Sequence, residues 1–143
     1  MVEVATMALP IKARRSEQAY VIDALKRLRQ IKVKCRWEAP VMGRSVDLVF
    51  LFEGKIHTIE FKLKDWRRAF VQARDHQLGA DRAYICMPGK NITPSMRIQA
   101  EQTGIGLLIY QDNTEWPFAV AVQAADSPVV SRPVRERLLN SLT

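Results

Sequence analysis

Three residues, Asp47, Glu60 and Lys62, are of the types that together carry out hydrolytic chemistry. They become neighbours if Glu53-Gly54 is a two-residue hairpin turn, with the glycine supplying positive φ. Cross-strand partners are then residues whose numbers add to 107, so Phe52 faces Lys55, Val49 faces Thr58 and Asp47 faces Glu60. Side chains two apart on a strand share a face. One face therefore carries Asp47, Val49, Leu51, Ile56, Thr58, Glu60 and Lys62, and the other Leu48, Phe50, Phe52, Lys55, His57, Ile59 and Phe61. Both are largely apolar, as in a sheet covered on both sides.

Like charges directly opposite each other destabilise a strand pair. Two carboxylates so placed call for a cation. Mg²⁺ (or Mn²⁺) suits them, because Mg²⁺ takes one or two protein carboxylates and keeps several waters. A lysine beside it can orient a water and favour negative charge building up on a phosphate. The plainer reading has Lys62 bridging two carboxylates at a sheet end. A second Glu-x-Lys, Glu53-Gly54-Lys55, has no carboxylate opposite it and reads as solvated turn chemistry.

The elements that must hold these residues follow from periodicity. Residues 1–14 read as a loose arm, and 15–143 as one domain. Ser16 caps a helix running to about Gln30, with Ala19, Tyr20, Ile22, Ala24, Leu25 and Leu28 as its apolar stripe and Lys26, Arg27 and Arg29 in water. Lys32–Glu38 is a first strand ending at Pro40, followed by strands Val46–Phe52 and Lys55–Leu63. Asp65 caps a helix from Trp66 to about Leu78, with Trp66, Ala69, Phe70, Ala73 and Gln77 inward. Ala83–Met87 and Ile105–Tyr110 are apolar strands, separated by a helix that Thr93-Pro94 starts and Gly104 ends. Residues 113–130 are ambiguous, with one edge strand around Phe118–Val122, and Arg132–Leu142 forms a terminal helix. The order implies a mixed α/β sheet with helices on both faces.

Composition narrows the function classes. The 143 residues are 48% apolar and 26% charged, which is ordinary for a globular chain and excludes collagen-like or disordered ones. No apolar run reaches membrane-span length, and no signal-peptide block opens the chain. Cys35 and Cys86 are too few for a disulfide framework and read as small apolar strand residues; the expected location is cytoplasmic. The net charge is +7, of which residues 1–37 hold +6, with Lys12, Arg14, Arg15, Lys26, Arg27, Arg29, Lys32, Lys34 and Arg36 against three acids. A basic end on a near-neutral body suits a polyanion such as nucleic acid.

The segment Gly43-Arg44-Ser45-Val46-Asp47-Leu48-Val49, the hairpin, Ile59-Glu60-Phe61-Lys62 and then Asp65-Trp66-Arg67-Arg68-Ala69-Phe70-Val71-Gln72-Ala73 resemble the PD-(D/E)XK nucleases. That superfamily includes restriction endonucleases and Holliday-junction resolvases. The resemblance covers roughly residues 15–110. Val46 stands where the namesake proline would be. The resemblance implies a restriction-endonuclease-like α-β-β-β-α-β core, here with extra C-terminal elements. It implies metal ligation by Asp47, Glu60 and the backbone carbonyl of Phe61, water orientation by Lys62 and a supporting role for Gln72. Glu17 matches a first-helix glutamate that some members add to the metal site; half of a capping box or a solvated face explains it equally well.

Arg44, Lys64, Arg67, Arg68 and Arg74, with Lys26, Arg27 and Arg29, are the candidate phosphate contacts. Trp37 and Trp116 could stack on bases but suit packing better. His57 falls on the face away from Asp47, and His76 reads as a surface helix residue. The expected function is a Mg²⁺-dependent nuclease on DNA, with specificity from substrate shape, a homodimer or a protein partner. The alternative is a non-catalytic nucleic-acid-binding or adaptor module on the same fold. A small RNA-binding α/β domain is a third reading, resting on the basic N-terminus alone.

Overall fold

A computed structural model describes residues 16–41 and 43–142. The expected arm, with Lys12, Arg14 and Arg15, lies outside the described residues. Ten elements follow in order: α1 (Glu17–Gln30), β1 (Cys35–Val41), β2 (Arg44–Phe52), β3 (Lys55–Phe61), α2 (Trp66–His76), β4 (Arg82–Cys86), α3 (Pro94–Thr103), β5 (Gly106–Tyr110), β6 (Phe118–Val122) and α4 (Arg132–Ser141). The strands form one six-stranded sheet in the order β1-β2-β3-β4-β5-β6. β1, β2 and β3 run antiparallel, β4 and β5 continue parallel to β3, and β6 returns antiparallel. This is the expected mixed sheet with helices on both faces. No described helix is long and apolar enough to cross a membrane.

Local signals account for the ends. The Ser16 hydroxyl accepts from Ala19 N at 3.1 Å and starts α1. Thr93 caps α3 with Pro94 behind it, and Gly104 ends that helix at φ +76°. Glu53 and Gly54 both have positive φ (+52° and +76°), so the β2–β3 turn closes in two residues.

Apolar burial divides by sheet face. On one face α1 packs Tyr20, Val21, Ala24, Leu25 and Leu28 against Leu48, Phe50, Ile59 and Phe61. On the other, α2 and α3 cover Ile85 and Leu107 with Phe70 and Met96. α4 covers Val49 and Ile56 on that same side with Val134 and Leu138.

Four sequence expectations need correction. β1 begins at Cys35, after a turn with Lys32 at φ +65°, and runs through Pro40 to Val41. An edge strand tolerates that proline, because no outer neighbour needs its missing N–H. α2 ends at His76 rather than Leu78. Val21, not Ile22, is the fully buried residue of that turn of α1. Arg27 is not in water: its side chain is 12% exposed and bound to Asp23, Gln111 O and Thr114 O. Tyr110 donates to the same Asp23 carboxylate, so α1 is tied to the loop after β5. Arg27 is therefore a structural residue in this fold.

Candidate active site

The β2–β3 ladder runs in the expected register from Phe52↔Lys55 to Leu48↔Ile59 and stops there. The next pair would be Asp47 and Glu60. Instead the Asp47 Oδ2 accepts the main-chain N–H of Phe61 at 2.8 Å. A carboxylate has taken a ladder position, and β2 leaves β3 at this point.

Strict alternation breaks at the same place. Leu48 packs with Phe50 on the α1 side, yet Val46 packs with Val49 beneath α4. β1 changes faces in step: Trp37 lies with the α1 cluster and Ala39 with the α4 cluster. Between them Glu38, across from Asp47, sits at φ +53°. A non-glycine residue held there costs about 1–2 kcal/mol, and such strain gathers at functional sites. Period-2 reasoning could not foresee this switch, because it assumes extended backbone throughout.

Asp47 and Glu60 nevertheless come together, and each affects the ionisation of the other. Glu60 is 5% exposed, and its Oε1 is buried with no hydrogen-bond partner. Burial first, and the Asp47 charge second, push its carboxyl up to about 8. Asp47 is also raised, chiefly by burial, although the Phe61 N–H works against this. The Lys62 ammonium lowers both. Lys62 is half-buried, and its own N–H bonds to Cys86 O at 3.0 Å, which anchors the end of β3 to β4.

Glu17 arrives from the first turn of α1. Its Oε2 accepts from Leu63 N at 2.8 Å, and its charge reaches both Asp47 and Glu60. It is half-buried and directly follows the Ser16 cap, so it does not stand at the capping-box position. Two carboxylates thus hold the N–H groups of Phe61 and Leu63, on either side of Lys62.

His76 is the residue that sequence reasoning missed. It is 3% exposed rather than on the surface, and its Nε2 lies 4.0 Å from Glu60 Oε1. Burial lowers its imidazole to about 4, so it is neutral and the contact is not an ion pair. Its Nδ1 is buried without a partner. Gln72 stands four residues earlier, on the same stripe of α2, and its Oε1 is also buried and unpartnered. The signal for His76 was its place three residues after the inward Ala73.

The candidate phosphate contacts lie around this end of the sheet and helix α2. Lys64, Arg67, Arg68 and Arg74 are exposed. Arg67 stacks over the Trp66 ring at 4.4 Å, and Arg44 lies 3.7 Å from Asp75. Lys26 and Arg29 are exposed on α1. Trp37 and Trp116 pack at the edge of the α1 cluster, and His57 points to that side, away from Glu60. Cys35 is half-buried and Cys86 buried, and burial raises both thiols.

No protein-family model matches the chain, and no curated protein matches it. It is similar to a solved structure, SfsA of Pyrococcus furiosus in complex with Ca²⁺, at 13% identity and a TM-score of 0.38. The likeness covers 76% of this chain and 61% of that one, so the chain spans less than two thirds of that protein's length.

Proposed function

We propose that the chain hydrolyses phosphodiester bonds in DNA, using a divalent cation held by Asp47 and Glu60. One observation carries this: two carboxylates packed together beside a lysine charge, with Glu60 Oε1 buried and unpartnered. An uncompensated buried carboxylate is costly, and a cation would relieve it. The donors are all oxygens, which suits a hard ion. Among the described residues no three His, Cys, Asp or Glu side chains converge into a cage. That fits Mg²⁺ or Mn²⁺ with retained waters better than structural zinc.

The PD-(D/E)XK resemblance adds the Phe61 carbonyl as a third ligand. When bound, the cation supplies a Lewis acid for a phosphate oxygen. Lys62 donates to the attacking water and keeps positive charge near the scissile phosphate. Gln72, with its free buried oxygen, accepts from that water. Glu17 positions the strand by holding Leu63 N–H. Arg44, Lys64, Arg67, Arg68 and Arg74 grip flanking phosphates, joined by Lys26 and Arg29.

The test is cleavage of linear, nicked, branched and single-stranded DNA by the full chain with Mg²⁺, Mn²⁺ or EDTA. Cation-dependent cleavage that disappears in Asp47→Ala, with DNA affinity retained, is expected. Cleavage that survives Asp47→Ala assigns the activity elsewhere. A second reading has its own support: Asp47 and Glu17 each accept a main-chain N–H, which is a structural task. A non-catalytic DNA-binding module would bind the panel and cut none of it.

A further inference from the structure

The sheet face that carries α1 also holds a cavity of about 490 Å³, away from Asp47 and Glu60. Phe50, Phe52, His57, Tyr84 and Trp116 wall it. Phe50 and His57 stack in parallel at 4.9 Å and 5°, and Tyr84 lies over the other side of His57 at 6.2 Å. Trp116 stands 5.7 Å from Phe50 and 5.0 Å from Phe52. Phe52 is 40% exposed and Val120 53% exposed, so apolar surface faces solvent at the opening. A volume of this size, apolar with a few polar groups, is that of a small-ligand site.

The polar groups are specific. Gln123 Nε2 donates to the Tyr84 hydroxyl at 2.7 Å, which leaves the amide oxygen to accept. Lys55 and Arg82 stand at the rim, and one oxygen of Asp126 bridges them at 2.9 and 3.2 Å. Asp126 is itself 67% exposed and lies outside any helix or strand. The structure thus marks a place between two cations where an oxyanion fits, occupied by a carboxylate that is largely exposed.

We infer that this cavity is a nucleotide site, with a base against the aromatic walls and a phosphate between Lys55 and Arg82 in place of Asp126. Aromatic side chains accept any base face, and Gln123 with Tyr84 meets its polar edge. The nucleotide could be free or a unit of a single strand; the chemistry is the same. The inference does not rest on the proposed hydrolysis, since His57 and Glu60 lie on opposite faces of β3.

The experiment is a fluorescence titration of the full chain in EDTA with adenosine, adenosine 5′-monophosphate and a short oligo(dA). Quenching by the monophosphate that disappears in Trp116→Phe is expected. Phe52→Ala, at an exposed position, should weaken adenosine and the monophosphate alike by about tenfold. Lys55→Gln should weaken the monophosphate only. Asp126→Asn should tighten it several-fold and leave adenosine unchanged, an increase that a merely structural ion pair would not give. If only oligo(dA) binds, with the same pattern across the variants, the site serves a strand. No saturable response to either phosphate-bearing probe overturns the inference, as does Asp126→Asn that leaves the monophosphate affinity unchanged or lower. Neither result bears on cleavage at Asp47 and Glu60.

Discussion

Strand β3 has a carboxylate on a main-chain N–H at each end, and the two ends differ in one respect. At its start, Asp81 accepts from Ile56 N at 2.7 Å and from Arg135 at 3.0 and 3.3 Å. At its finish, Asp47 accepts from Phe61 N at 2.8 Å and meets a second carboxylate, Glu60, instead of an arginine. Burial opposes ionisation of both, but at Asp81 the guanidinium and the N–H outweigh it and lower the pKa. At the Asp47–Glu60 pair burial wins: Asp47 is raised, and Glu60, with the Asp47 charge added to burial, rises to about 8. The first end is a completed ion pair that pins α4. The second sets two carboxylates against each other, with the Lys62 ammonium as the charge that lowers both.

The two ends of β3 should differ most in activity. Asp47→Ala should lower DNA cleavage by more than about 100-fold, since even the outer groups of a metal site cost 10–100-fold. Asp81→Ala should leave the cleavage rate unchanged. Equal losses in the two variants would show that both ends are structural.

Cation dependence should follow the same division. Mg²⁺ at about 100 times its Kd would add about 2.7 kcal/mol to unfolding stability, read as a shift in thermal midpoint. Without cation, Glu60 binds its proton more tightly folded than unfolded. Its contribution is present below an ordinary value of 4.5 and lost as pH rises through about 8. Urea midpoints in EDTA should therefore fall over that window, and Glu60→Gln should flatten the fall. Asp81 has the opposite sign: its stabilisation is present above the ordinary 3.8 and lost as acid takes pH down through its lowered value.

Removing the completed pair is a smaller effect. Asp81→Ala leaves the N–H of fully buried Ile56 unpaired, which costs about 2 kcal/mol, a fall of roughly 6 °C in Tm. Calorimetry checks it, and no drop would mean that water replaces the carboxylate without loss.

The smallest expected effect lies on helix α1. Neutralising exposed Lys26 and Arg29 should reduce the slope of log K against log salt for duplex binding by up to about 2. Arg27→Gln should cost stability and leave that slope alone, because its guanidinium is spent on Asp23, Gln111 and Thr114. A slope that falls with Arg27→Gln would put this arginine on DNA after all.

What depends on neighbours along the chain is legible in the residue order alone. The caps at Ser16 and Thr93, the two-residue turn at Glu53-Gly54 and the alternation from Leu48 to Ile59 are short-range, so turn chemistry and periodicity specify the hairpin register. That register brought Asp47, Glu60 and Lys62 into view. The remaining features arise from long-range packing. The face switch at Glu38 and Asp47 comes from two strands bending together between different helices. His76 is buried because α2 lies on β3 and β4, which its own polar composition does not announce. Arg27 turns inward to partners more than eighty residues away, and Arg135 finds Asp81 at a separation of 54. The aromatic cavity draws its walls from β2, β3, β4 and the loop before β6. Each of these pairs groups that the chain keeps far apart, and the free energy that selects them arises only once the sheet has brought its strands side by side.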